Sequence, residues 1–449
     1  MILSRARARI ALVILALTYL VSYMDRTVLA VLQEPIKAEF GLSDWQLGLL
    51  GGPAFAILYS VMGVPIARMA ERFDRGRLIA LCVFFWSLMT ALCGMANSFL
   101  QMLVARAGVA VGEAGGNPAS HSLIADLFPP ASRARAVAIY TLGVPVGAFL
   151  GAVVGGLLAK WYGWRETFII LGVVGGLLVV GVLALIPKVT RGQFDAAPVA
   201  DEPPPPAMAV LRLLGANRAF VHLAIASSLV VLVGYSLPAF LVSFMIRAHG
   251  LSVAEGGLVA GIVSGGGGII GTLAAGQLAD WLGPKDRRWY GWLSAIAMLI
   301  AFPALVLGLL AGNVVLVTAL LTLGMALMFV YIPPTFAQIH AMVNAQMRAT
   351  ATSVFYLVIN LVGLGIGPPL VGWLSDRLAV SRMGGPVDGC AAVMAQGGLL
   401  AAPCTDALSY GLRYALLAIC IVLVWSAVHF WRAGNILGQQ GRMNGHGQA

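Results

Sequence analysis

The chain has 449 residues, of which 60% are hydrophobic and only 10% charged, against roughly 25% charged in an average soluble domain. That composition excludes an ordinary soluble globular protein, and the 54 glycines suit helices that pack closely in lipid. The formal charge of +10 raises nucleic acid as a partner, but the way the charges are distributed excludes it.

In chain order, twelve apolar runs are long enough to cross ~30 Å of hydrocarbon. They cover residues 10–32, 44–67, 78–96, 98–127, 135–160, 165–187, 219–246, 254–281, 289–311, 313–342, 349–377 and 408–431. None alternates with period two, so the chain reads as an all-α membrane protein with 12 transmembrane helices and not as a membrane barrel. Basic residues cluster on one side of these spans. Arg5, Arg7 and Arg9 precede the first, Arg68, Arg72, Arg75 and Arg77 follow the second, and further basic residues follow spans 4, 6, 8, 10 and 12. One side thus carries 19 Lys and Arg and the other 7. Such an excess faces the cytoplasm, which places both termini there and makes the positive charge a matter of topology, with no nucleic-acid partner. The first run is too long for a signal peptide and shows no small-residue cleavage site before Asp25, so it is read as a retained span.

Span 1 contains Tyr23-Met24-Asp25-Arg26-Thr27, an acid beside a base at a depth where a charge costs a few kcal/mol or more. Span 4 holds Arg106 and Glu113, seven residues or about two turns apart and so on one helical face. At ~1.5 Å per residue, Asp25 and Arg106 lie at similar depths, and Glu113 lies roughly 10 Å deeper. Asp25 can pair with Arg106 if the two spans line one cavity, and Arg26 can reach Glu113. Static pairs that fix helix packing are the alternative. Desolvation offsets most of the attraction in buried pairs, which favours a proton or substrate site. Glu113 is the candidate proton carrier. Arg26 or Arg106 is the candidate clamp for an anionic headgroup, because a guanidinium stays charged and matches carboxylate or phosphate in a bidentate way. Tyr23 joins this substrate-binding set.

Between Phe220 and Trp373 the spans carry no Asp, Glu, Lys or Arg away from their ends. They offer Tyr331 and Gln338 in span 10 and Tyr356 and Asn360 in span 11, with Thr335, His340, Thr352 and Ser353 nearby. A cavity charged on one wall and apolar on the other suits an amphiphile with an anionic head. Gly143, Gly147, Gly151 and Gly155 form one stripe of span 5, a packing face; Gly266, Gly268 and Gly271 in span 8 are read the same way and not as a dinucleotide site. Pro333-Pro334 and Pro368-Pro369 are expected to interrupt spans 10 and 11.

Residues 188–218 contain Pro203-Pro204-Pro205-Pro206 and are expected to form an extended cytoplasmic linker. The linker divides the chain into an N-terminal six-helix bundle, 1–187, and a C-terminal one with a short tail, 219–449. Repeated loops support the division. Ala67-Arg68-Met69-Ala70-Glu71-Arg72-Phe73-Asp74-Arg75-Gly76-Arg77 follows span 2, and Gly276-Gln277-Leu278-Ala279-Asp280 opens the equivalent stretch after span 8. Both resemble the signature loops of the major facilitator superfamily, although Ala67, Glu71 and Asp74 depart from the pattern in the first copy and Trp281 in the second. The resemblance implies two six-helix bundles related by pseudo-two-fold symmetry, with spans 1 and 4 lining one cavity.

A narrower resemblance, to the Spinster family of lipid transporters, rests on Tyr23-Met24-Asp25-Arg26, on Arg106 with Gly112-Glu113-Ala114, and on Asp126-Leu127-Phe128 followed by Arg133. It implies alternating-access transport of a lysolipid or sphingolipid-like molecule with proton coupling; the alternative is a proton-linked carrier of a small organic anion or drug. Glu71, Arg72, Arg75, Asp126, Arg133 and Asp280 are read as gating residues. Arg72 is expected to pair with Asp126, and Glu71 to face the start of span 11. Cys390 and Cys404 share one non-cytoplasmic loop and are expected to form a disulfide, an oxidised pair if the membrane is a bacterial inner one. The six histidines show no metal-ligand spacing and no nucleophile elbow occurs, so neither enzymatic activity nor a metal or cofactor is expected. The expected partners are membrane lipids, protons and the substrate, and the expected state is a monomer.

Overall fold

The computed structural model describes residues 5–190, 207–343, 347–387, 390, 393 and 401–446. Among them, eleven helices are long and apolar enough to cross a membrane: Arg5–Val31, Asp44–Ala70, Arg75–Gly94, Arg135–Tyr162, Trp164–Leu185, Arg218–His249, Val253–Leu282, Trp289–Leu310, Val314–Ala341, Thr350–Met383 and Ala402–Gln440. Phe99–Leu127, 29 residues long, is the twelfth, its apolar character diluted by Arg106 and Glu113. It extends ~43 Å at 1.5 Å per residue, enough to span. These are spans 1 to 12 in chain order when Phe99–Leu127 is counted fourth.

Short polar signals set the helix starts. Asp74 accepts from the Arg77 amide at 2.8 Å and caps span 3. Ser98 accepts from the Gln101 amide and caps span 4, and Asn313 does the same for span 10. Ser43 with Gln46, and Ser252 with Glu255, form complete capping boxes at the starts of spans 2 and 8. Each such cap satisfies an otherwise orphaned amide and contributes about 1 kcal/mol. Gly41 ends the short helix Gln33–Phe40 at φ 65°, a left-handed conformation open to a residue without a Cβ.

The outward surface is apolar. Val173, Leu177, Val180 and Leu183 of span 6 are all exposed. Trp161, Tyr162 and Trp281 are exposed at span ends, the positions of an interfacial aromatic belt. With every span helical, backbone polar groups are satisfied within each segment.

The chain forms two compact units. One comprises Met1–Asp201, Leu241–Gly261 and Asp388–Thr405, and the other Glu202–Phe240, Ile262–Val387 and Asp406–Ala449. In the first, span 1 packs on span 5, and span 3 on spans 4 and 6. The glycine stripe of span 5 makes the first contact possible. A Cβ on Gly143 would meet the Ala16 carbonyl at 2.9 Å, and one on Gly151 would meet the Met24 Cα at 2.7 Å. In the second unit, span 9 packs on spans 10 and 12, and span 8 on span 10. Gly268 and Gly271 of span 8 face span 10, but a Cβ on Gly266 would meet open space, so this glycine is not part of the packing face.

Three local expectations change. Ala207–Ala216 is a helix, not extended chain, with Val210 and Leu214 buried one turn apart; the proline run before it lies outside the described residues. The apolar spacing that follows the prolines supports a helix there despite the proline run before it. Span 11 runs unbroken from Arg348 to Met383 through Pro368 and Pro369. The break in span 10 falls at Val330 and Tyr331, before the prolines, and Pro333 lies in the first turn of Ile332–Ala341, where its missing amide costs nothing.

Candidate functional site

The polar site of the first unit is built from spans 1, 2 and 4. Two tight helix contacts hold its parts. Span 5 backs span 1 at Gly151, next to the residues that carry Asp25 and Arg26. On span 4, Gly112 seats Glu113 against span 3, where a Cβ would meet the Trp86 Cβ at 2.8 Å. The charged side chains are therefore carried on helices with little freedom to shift.

Arg26 Nε donates to Glu113 Oε2 at 2.5 Å. Arg106 Nη1 donates to Asp25 Oδ2 at 3.4 Å, long for a charge-assisted bond, which usually falls at ~2.7–2.9 Å. Both expected pairings are thus present as contacts, one tight and one loose. The Glu113 side chain is 0% exposed and that of Arg106 2%, whereas Arg26 is 22% exposed. Asp25 Oδ1, Glu113 Oε1 and Arg106 Nε are buried without a hydrogen-bond partner among the described residues. Buried polar atoms left unpaired are costly, so the site retains capacity for a proton or a ligand group.

Three aromatic rings surround Arg26. Its guanidinium carbon lies 4.9 Å from the Tyr23 centroid and 4.7 Å from those of Phe55 and Tyr59. Phe55 also stands 5.8 Å from the Arg106 guanidinium and stacks on Tyr59. Phe55 and Tyr59 escaped the sequence reading, although their spacing of four on span 2 puts both rings on one face.

A second charged cluster was also missed. Arg247, at the end of span 7 and within the first unit, makes two 2.7 Å bonds to Asp44 and one of 2.6 Å to Glu34. Lys37 pairs with the same Asp44. Lys37, Asp44 and Arg247 are buried. The signal was the alternation of Glu34, Lys37 and Asp44 between spans 1 and 2. On the same short helix, burial pushes the Glu39 carboxyl up, but hydrogen bonds from Arg165 and Trp164 outweigh it and hold the group below its ordinary range.

Among the residues read as gates, Asp126 takes Arg75, not Arg72. The Asp74 cap starts span 3 at Arg75, so this side chain is buried against span 4 and also donates to Ser122. Arg72 ends the preceding helix and is exposed. Arg133 donates to the Ala125 carbonyl at 2.8 Å. Asp280 is exposed, and the side chain of Glu71 lies outside the described residues. Cys390 and Cys404 are joined by a disulfide, with their Cα atoms 5.3 Å apart.

In the second unit the four candidates separate. Asn360 accepts from the Tyr235 hydroxyl at 3.1 Å, and Tyr356, one turn before it, is 46% exposed and tilts against Phe336. Tyr331 is buried beside Phe430. Gln338 is buried and lines a cavity with Asn217 and Arg287.

Residues 15–368 match the family model described as Major Facilitator Superfamily. The chain belongs to that superfamily. It is 37% identical over 373 residues to an MFS-type efflux pump of Mycolicibacterium smegmatis, covering 83% of this chain and 85% of that protein. It is 24% identical over 397 residues to a sphingosine-1-phosphate transporter of Mus musculus, covering 83% of this chain and 71% of that protein. The fold matches the crystal structure of a bacterial homolog of the human lysosomal transporter Spinster, in its inward-facing and unoccupied conformation. The TM-score is 0.88 at 31% identity, over 97% of this chain and 98% of that one. The chain is therefore a multi-pass membrane transporter of the major facilitator superfamily with Spinster-like sequence and fold, and family and neighbours alike point away from an enzyme.

Proposed function

We propose that this transporter moves an anionic amphiphile, a lysolipid or sphingolipid-like molecule, by alternating access and in company with a proton. The observation that carries this reading is Arg26, partly exposed, ringed by Tyr23, Phe55 and Tyr59 and ion-paired to a fully buried Glu113. A guanidinium takes a phosphate or carboxylate in bidentate fashion, while the rings beside it offer apolar surface to the adjoining chain. An anion that takes Arg26 leaves Glu113 without its counter-charge, and a buried carboxylate in that position binds a proton. Anion and proton then load together. Arg26, being the more exposed of the two arginines, is the headgroup clamp, and Arg106 holds Asp25 behind it. The names of the Spinster homolog and the mouse sphingosine-1-phosphate transporter support a lipid-like cargo.

The asymmetric distribution of Lys and Arg supports cytoplasmic termini, and the bacterial relatives support a bacterial inner membrane. The second reading, a carrier of a small organic anion or drug, draws on the 37% identity to an efflux pump. Thermal-shift screening of the purified protein separates the two. At ~100 times Kd a ligand stabilises by about 2.7 kcal/mol, which raises Tm by several degrees. Lysolipids are expected to produce that shift and small acids not; stabilisation by small acids alone would leave the second reading standing.

A further inference from the structure

Two adjoining cavities open in the second unit where span 7 begins and spans 10 and 12 end. The larger, about 430 Å³, has an apolar wall of Leu213, Leu214 and Ile436 and carries Arg218. The other, about 370 Å³, carries Arg287 and Gln338. Asn217, Met342 and Gln440 line both, so they form one bipartite recess. Either volume suits a small organic ligand.

Its chemistry is selective. Among the described residues, Arg218 and Arg287 have no carboxylate partner and no carboxylate lines either cavity. Gln338 is 5% exposed yet makes no side-chain hydrogen bond among the described residues. The side chain lines the recess without an amide atom that is both buried and unpaired, so its hydrogen-bonding groups are reachable by what enters there. The helix Ala207–Ala216 supplies the leucines, so the apolar wall lies next to the positive one. Basic recesses between membrane helices, at the level of the bilayer surface, hold anionic lipid headgroups.

We propose that this recess is a second ligand site, for the phosphate headgroup of an anionic lipid from the leaflet on that side. Arg218 and Arg287 take the phosphate, Gln338 and Gln440 hydrogen-bond the polar remainder of the head, and Leu213, Leu214 and Ile436 receive the start of an acyl chain. The site is separate from Arg26 and Glu113 and does not depend on the identity of the transported molecule.

The test is native mass spectrometry of the full-length protein titrated with phosphatidylglycerol, phosphatidylcholine or glycerol 3-phosphate. Phosphatidylglycerol is expected to bind in discrete stoichiometry, more tightly than either of the others. Arg218→Gln with Arg287→Gln is expected to weaken it about 10- to 30-fold, from roughly one surface-charge contribution per arginine. Arg287→Gln alone is expected to give an intermediate loss, and Arg212→Gln, an exposed arginine outside both cavities, none. Equal losses in the Arg212 variant would show a diffuse charge effect and overturn the site. Equal binding of phosphatidylcholine would overturn the role of the anionic head. Binding of glycerol 3-phosphate as tight as that of the lipid would overturn the lipid in favour of a free phosphate solute.

Discussion

Replacing Glu113 with Gln abolishes uptake driven by a pH gradient in proteoliposomes while exchange at equal pH on both sides survives. The amide keeps the shape of the side chain and mimics the protonated acid, so substrate binding to Arg26 persists and the coupled proton does not. The effect is large because the Glu113 side chain is fully buried and, among the described residues, has one direct partner, the Arg26 guanidinium. Gradient-driven uptake that matches wild type would make Glu113 a packing or headgroup-orienting residue, and the protein a uniporter.

Arg26→Ala behaves differently and damages both binding and stability. Losing a charge-assisted contact of ~1.5–3 kcal/mol weakens substrate binding by about 10- to 100-fold. The variant also strands Glu113 as a buried, unpaired acid, at a cost of ~3 kcal/mol, the low end for a buried pair because Arg26 is itself partly exposed. Arg26→Lys restores the charge but not the planar fork that lies among Tyr23, Phe55 and Tyr59, so it recovers stability better than affinity. Equilibrium binding of a radiolabelled lysolipid, with the melting temperature of each variant, checks this. Unchanged affinity in Arg26→Ala would move the clamp to Arg106.

The charged core of the site was legible in the sequence because helices convert residue number into depth. Asp25, Arg26, Arg106 and Glu113 could be matched along two spans before any packing was known, and their contacts follow that register. The ring of aromatics was not legible, since Phe55 and Tyr59 in an apolar span look the same whether they face lipid or a guanidinium. Nothing in the sequence joins Arg247 to Asp44, which lies about two hundred residues away, because only tertiary structure unites them. Arg72 and Arg75 lie in one basic loop, and position in that loop does not show which of them meets Asp126. The Asp74 cap decides which of them enters span 3, and that one meets Asp126. In the second unit, position in the span was a poor guide. Tyr331 and Gln338 are buried within it, whereas Tyr356 is exposed and Asn360 bonds Tyr235.

The most direct measurement is uptake of a labelled lysophospholipid into proteoliposomes holding the wild-type protein, with and without an imposed pH gradient. Albumin extraction of the outer leaflet before counting leaves only the protected pool. An acidic exterior should raise the initial rate of entry into that pool several-fold over symmetric pH, and reversing the gradient should slow it. A rate that ignores the gradient in both directions, or a protected pool no larger than in protein-free liposomes, would contradict proton-coupled transport of an anionic amphiphile.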